Sequence, residues 1–319
     1  ENVEKITGQG NSIVYKIDVS GDRSYAVKYY PDRLIDDRPR LETEYKTLQI
    51  LHKYGINNAP HFIAKNNDLN LGIYEWIEGN SITNVSSHDI DHAIKFISKL
   101  FTVSNHINYT DVGIASEACL SVNVLVAQIE QRLIKLNGES KRSQSLSKFL
   151  NNIFVPLWGK VKEINIPLWP EESRNKNLPL NKQTLSPSDF GFHNCLKIKD
   201  GSFVFLDFDY FGWDDPVKLT ADFIWHPGMF LNFDLKNKWK DAMLNLFSGD
   251  IFFEARLNAS MPLYGLRWTM ILLNEFLPEF IHKRANASGI KNYHLEKSQK
   301  IQLKKAHHYC EKVKMYLTK

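Results

Sequence analysis

The 319-residue chain has only three cysteines, Cys119, Cys195 and Cys310, which are odd in number, far apart and without a Cys-x-x-Cys pair. That spacing argues against both a disulfide framework and a zinc site. No run of about 18 uncharged apolar residues is present, so no segment reads as a spanning helix. The opening Glu1-Asn2-Val3-Glu4-Lys5 lacks the apolar stretch of a signal peptide, and the expectation is a soluble, cytoplasmic protein without a membrane partner. A start at Glu1 in place of Met suggests a trimmed N-terminus. Repeats and low-complexity segments are absent, and 16 Gly and 12 Pro exclude a collagen-like chain. A large excess of one charge is also missing: 40 Lys+Arg stand against 36 Asp+Glu. The basic surplus sits in residues 283–319, where it alternates with Leu303, Ala306, Cys310, Val313 and Leu317. An apolar stripe with charges around it is a solvated helix face, and no nucleic-acid partner is expected.

What is present divides in two. Residues 12–19 and 24–30 interleave apolar and polar side chains around a Gly21-Asp22 turn, the pattern of an antiparallel hairpin. Between Arg40 and Tyr54 the apolar positions Leu41, Tyr45, Leu48 and Leu51 fall three or four apart, which predicts a helix with one buried stripe. Strand-like runs return at 62–65 and 71–77. After Glu78-Gly79-Asn80 the spacing becomes helical, at 89–100, 121–136 and 263–281, with a polar break at 137–147. The reading is an α+β chain with a small antiparallel-sheet lobe over 1–78 and a larger, mainly helical lobe over 79–319.

Chemistry concentrates at one hairpin. Strands at 195–199 and 202–206 flank Asp200-Gly201, and a two-residue turn there sets Asn194 across from Asp207. Asp189 precedes Asn194 by five residues in Ser188-Asp189-Phe190-Gly191-Phe192-His193-Asn194, so two carboxylates and an amide oxygen meet at one mouth. An all-oxygen set suits a hard cation such as Mg²⁺ with phosphate oxygens and water completing its shell. Asp and Asn also favour turns and strand ends for local reasons, and each taken singly is more often structural than functional.

With these residues in view, the sequence resembles the aminoglycoside phosphotransferase and choline kinase-like branch of the protein-kinase-like superfamily over most of its length. Asp-x₄-Asn matches Asp189 and Asn194. The strand-end Asp matches Asp207 in Phe205-Leu206-Asp207-Phe208-Asp209, and Gly212, Asp215-Pro216 and Asp222 follow as in the family. The resemblance implies a bilobal protein-kinase-like fold, ATP and Mg²⁺ as cofactors, and a hydroxyl group on a small molecule as phosphate acceptor. It implies Asp189 as base or positioner for that hydroxyl, and Asn194 and Asp207 as Mg²⁺ ligands. In the first lobe it implies Gly8, Gly10 and Ser12 in a turn near the phosphates, Lys28 on the α- and β-phosphates, and Glu44, with Glu42 as the alternative, as the partner of Lys28. Glu75 and Ile77 fall in a lobe-joining segment whose backbone would hold adenine. The triplet Asp189-Phe190-Gly191 mimics the metal-binding triplet of protein kinases, but its distance from Asn194 assigns it to the catalytic loop.

The departures are specific. Ile13 stands where the protein-kinase pattern has a third glycine, and Pro187-Ser188 stands where the family commonly has His-Gly. The second departure keeps open a nucleotide-binding scaffold without turnover. A hydrolase using Asp189 and Asp207 leaves Lys28 without a task. For the acceptor, Trp213, Asp214, Asp215, Trp225, His226, Arg267, Trp268, Asn274 and Glu275 offer rings and charges, although aromatics in a helical lobe are usually core. His193, His226, His294, His307 and His308 lack metal-ligand spacing and are read as non-ligands.

Overall fold

The computed structural model describes residues 2–6, 12–21, 23–34, 36–281 and 295–317. Gly8 and Gly10 of the expected phosphate turn, Asp22 of the first hairpin turn and His294 lie outside the described residues. The chain divides into two compact units: Glu1–Ala118 with Gln183–Asp214 and His226–Leu246, and Cys119–Lys182 with Asp215–Trp225 and Phe247–Lys319.

The first unit begins with five strands, β1 (Asn2–Ile6), β2 (Ile13–Val19), β3 (Arg23–Tyr29), β4 (Phe62–Asn66) and β5 (Leu71–Glu75), and helix α1 (Arg40–Lys53) between β3 and β4. The sheet order is β1-β2-β3-β5-β4 and every pairing is antiparallel. Its register places Lys28 between Val14 and Gly72. Gly72 is required there, because a Cβ would stand 2.7 Å from the Tyr74 hydroxyl. Helix α1 buries Leu41, Glu44, Leu48 and Leu51 on one face, so the apolar stripe carries a carboxylate into the interior. β1 is an edge strand whose first three residues are exposed, which removes the alternation by which a strand is recognised.

Chain beyond β5 crosses through Gly79 to β6 (Asn80–Ser81), which pairs with β8 (Cys195–Lys197), itself paired with β9 (Phe203–Phe205). Gly79 lies so close to this hairpin that a Cβ would stand 3.0 Å from that of Leu196. Helix α2 (Ser87–Ser104) starts at a capping box: Ser86 Oγ accepts the Asp89 N–H and the Asp89 carboxylate accepts the Ser86 N–H. Phe96 on α2 meets Phe190 and Phe205 at ring-centroid distances of 5.6 and 4.5 Å, and Phe190 also meets Trp239. Buried aromatics therefore anchor the residue after Asp189 to the unit's core.

The hairpin departs from the expected register. Cys195 faces Phe205 and Lys197 faces Phe203, one residue short of a two-residue turn. Ile198 donates its N–H to Ser202 O at 3.0 Å, Gly201 donates to Ile198 O at 2.9 Å, and Gly201 has φ 84°. This is the three-residue loop with a left-handed glycine. Asn194 therefore lies opposite Leu206, whose N–H donates to the Asn194 carbonyl at 2.9 Å, and Asp207 follows at φ 66°.

The second unit is helical, with α3 (Val122–Ser140), α5 (Val155–Leu168), α7 (Pro216–Trp225), α9 (Phe253–Leu272) and α10 (Leu295–Leu317) among its elements. The apolar helix expected over 263–281 is displaced to α9, followed by a short 3₁₀ turn at Leu273–Phe276. α10 buries Ala306, Cys310 and Val313 from the stripe read in the sequence. Gly265 admits close packing, since a Cβ would stand 2.5 Å from Val313 and 2.7 Å from Trp225. Among the described residues no helix is long and apolar enough to cross a membrane.

Candidate active site

Lys28, central in its sheet, sends Nζ to Glu44 Oε2 at 2.6 Å and to Asp207 Oδ1 at 2.5 Å. The Lys28 and Glu44 side chains are 11% and 3% exposed, whereas Asp207 is 37% exposed. The trio thus runs from the interior outward. Burial works against the Lys28 charge, but Asp207, Glu44 and Asp209 outweigh it and hold the ammonium well above the ordinary lysine pKa. Glu44 also accepts from the Tyr30 hydroxyl and from the Phe208 N–H at 3.2 Å. Tyr30 meets the Tyr74 hydroxyl in turn. Glu42 points elsewhere, to Lys65 and Lys46 on the outside of α1.

The segment after β9 is tied down by a group the sequence reading did not single out. Arg40, 4% exposed, donates to Asp36 at 2.7 Å, to Asp209 at 2.8 Å and to the Tyr210 hydroxyl at 2.5 Å. The i,i+4 pair Asp36–Arg40 is legible in sequence, but its link to Asp209 spans 169 positions. Burial first, then Asp207, raises the Asp209 carboxyl to about 7, against the pull of Lys28 and Arg40. Asp209 Oδ1 is buried without a hydrogen-bond partner.

Asp189 belongs to a separate loop, preceded by Ser188 at φ 67°. The Ser188 hydroxyl donates to Ser116 O at 2.8 Å and its N–H to Ser186 Oγ at 3.0 Å, which hold a conformation that L-residues disfavour. Asn194 turns its Nδ2 back to the Asp189 carbonyl at 3.0 Å, so Oδ1 is its remaining acceptor. Asn194 Oδ1 and the half-exposed Asp207 carboxylate are oxygen donors of the kind that Mg²⁺ takes.

Of the other expected positions, Ser12 is half-buried at the start of β2. Glu75 is held at both ends by His61, its N–H on the His61 carbonyl at 3.0 Å and its carboxylate on the His61 N–H at 2.7 Å. Ile77 is half-buried in the crossing segment. The acidic groups considered for an acceptor are otherwise engaged: Asp215 pairs with Arg256 at 3.0 Å, and Asp222 with Arg267 at 3.3 Å and the Trp268 indole N–H at 2.7 Å, all buried in the second unit. What sequence spacing did not reveal is that His193 and His226 come together, their Nε2 atoms 3.1 and 3.7 Å from Asp189 Oδ1.

Neither a protein-family model nor any curated protein sequence matches the chain. Solved structures do. An ethanolamine kinase from Plasmodium vivax is 14% identical with a TM-score of 0.56, over 95% of this chain and 82% of that one. A choline/ethanolamine kinase family protein from Mesorhizobium loti is 15% identical with a TM-score of 0.56, over 100% and 92%. A spectinomycin phosphotransferase solved with ADP and spectinomycin is 12% identical with a TM-score of 0.57, over 95% and 93%. These are the kinases that the sequence motifs resemble, and the chain has their protein-kinase-like fold.

Proposed function

We propose that the chain is an ATP- and Mg²⁺-dependent phosphotransferase that moves the γ-phosphoryl group to a hydroxyl of a small molecule, with residues 1–78 as its nucleotide lobe and 79–319 as its catalytic and acceptor lobe. The observation that carries the reading is the buried Lys28–Glu44 pair abutting the half-exposed Asp207. A lysine aimed by one carboxylate toward a second, exposed carboxylate is the arrangement that phosphates and a cation require. Lys28 then meets the α- and β-phosphates, and the backbone from Glu75 to Ile77 faces the adenine. Asn194 and Asp207 would hold Mg²⁺, which when bound neutralises charge on the phosphates.

In the transfer, the acceptor oxygen forms a bond to the γ-phosphorus while the bond to the β,γ-bridging oxygen breaks. Its electron pair leaves with ADP, and the hydroxyl proton passes to Asp189. The protein supplies chiefly alignment and charge neutralisation. Named substrates of the structural neighbours, choline, ethanolamine and aminoglycosides, define the acceptor panel to be tried. With Asp215 and Asp222 committed to buried arginines, an amino alcohol or sugar is favoured over a polycation.

ADP formation by the purified chain against that panel tests the proposal. Asp207→Ala abolishes turnover, and Asp189→Asn keeps nucleotide binding while losing transfer; an Asp189→Asn variant at the wild-type rate would refute the assignment. A scaffold that binds nucleotide without turnover is the second reading, motivated by Ser188 at φ 67° where the resembling kinases commonly have glycine. Mg-ATP binding without ADP formation in any condition favours it.

A further inference from the structure

We propose that His193 and His226 form a stacked pair that orients the Asp189 carboxylate, acting as positioning residues for the transfer; this rests on the phosphotransferase reading. The two rings are nearly parallel, 10° apart in plane with centroids 3.7 Å apart. Both present Nε2 to the same oxygen, Asp189 Oδ1, at 3.1 Å from His193 and 3.7 Å from His226. The imidazoles are 18% and 15% exposed while Asp189 is 44% exposed, so the carboxylate stands at the surface on a sheltered support.

The backbone fixes which nitrogen of His226 carries the proton. Gly228 donates its N–H to His226 Nδ1 at 3.1 Å, so Nδ1 carries the lone pair and Nε2 carries the proton. That Nε2 lies 3.7 Å from Asp189 Oδ1, a dipole beside the carboxylate rather than a hydrogen bond, with its direction set by the partner on the other ring nitrogen. His226-Pro227-Gly228-Met229 is a turn closed by the Met229 N–H on the His226 carbonyl at 3.2 Å, with proline at the position that favours it. The turn is clasped to the catalytic loop: Met229 Sδ accepts the Phe192 N–H at 3.1 Å, and Gly191 leaves room for Met229 because a Cβ would stand 2.5 Å from that sulfur. His193 at hydrogen-bond distance from Oδ1, His226 stacked behind it with Nε2 at 3.7 Å, and the Asn194 amide N–H on Oδ2 at 3.5 Å therefore restrict rotation of the Asp189 carboxylate.

The same three side chains bring one ligand atom each within 4.8 Å of one another, a set that could also hold a divalent metal. The tautomer of His226 favours the positioning role: its Nδ1 lone pair accepts the Gly228 N–H, and the Nε2 that a metal would need bears the proton.

Two substitutions at His226 separate direction from packing. His226→Phe keeps a ring against His193 but has no N–H, while His226→Gln gives up the ring and keeps an N–H donor. A misaligned reacting group costs on the order of 100-fold. The expected result is kcat lowered about 10- to 100-fold by Phe, with KM for ATP changed less than about threefold, and most of the loss restored by Gln. A Phe variant near wild type with Gln impaired, or a change confined to KM, would overturn the proposal. So would stoichiometric binding of added Zn²⁺ in calorimetry that disappears in Asp189→Ala. Absence of turnover in the wild type would instead mark failure of the phosphotransferase reading. In that event ¹⁵N spectra of the histidine rings decide: perturbation of both Nε2 signals by Asp189→Ala supports the pair, and unchanged signals refute it.

Discussion

Glu44 offers the sharpest test of how the Lys28 site is held. Replacing it by alanine takes away the acceptor for three donors: the Lys28 ammonium at 2.6 Å, the Phe208 N–H at 3.2 Å and the Tyr30 hydroxyl. Lys28 keeps Asp207 and Tyr30 keeps Tyr74, but Phe208 N–H loses its side-chain acceptor in a site where Glu44 is 2% exposed. Removing one partner of a buried ion pair costs about 3–5 kcal/mol. Glu44→Gln retains one acceptor oxygen and costs about 1–2 kcal/mol. Glu42→Ala breaks only half-exposed contacts with Lys65 and Lys46 and costs less than about 1 kcal/mol. Urea unfolding gives the three values, and at roughly 2–4 °C per kcal/mol the alanine variant at 44 melts roughly 6–20 °C lower. Nucleotide turnover follows the same order, since a Lys28 without Glu44 is no longer aimed. Equal losses at positions 42 and 44 would refute the reasoning.

Other predictions follow from single features. Burial opposes the charge of Asp36, yet Arg38 and Arg40 hold its carboxyl below the usual carboxylate range. The stability it contributes is therefore present above about pH 4 and lost as pH falls further. Asp36→Asn is expected to be more destabilising at pH 7 than at pH 3 in urea midpoints, and a difference independent of pH would count against the ion pair. Gly201 has φ 84° with open space around it, so Gly201→Ala costs about 1–2 kcal/mol from backbone conformation alone and Gly201→Asn less; identical midpoints for the two variants would contradict the left-handed turn.

The sequence was most informative where chemistry and spacing are local. Asp189, Asn194 and Asp207 stand within one loop and hairpin, and α1 was read to within a residue at its end because Leu41, Leu48 and Leu51 share a face. The hairpin register was misjudged by one residue because Asp-Gly occurs in three-residue as well as two-residue loops, and only the Gly201 bulge decides between them. Edge strand β1 escaped because its solvent-facing residues impose no alternation. His226 was set aside for a different reason. Its place beside Asp189 depends on a turn that returns to the loop of Asp189 through Met229 and Gly191, and such a return leaves no spacing to read.

The central claim is that this site transfers a phosphoryl group, and ³¹P NMR of Mg-ATP with the chain and a mixture of amino alcohols, sugars and aminoglycosides tests it most directly. The account predicts a new phosphomonoester resonance growing with that of ADP, abolished by Asp189→Asn while nucleotide binding persists. ATP that stays intact in the presence of every acceptor, or that yields only orthophosphate, would contradict it.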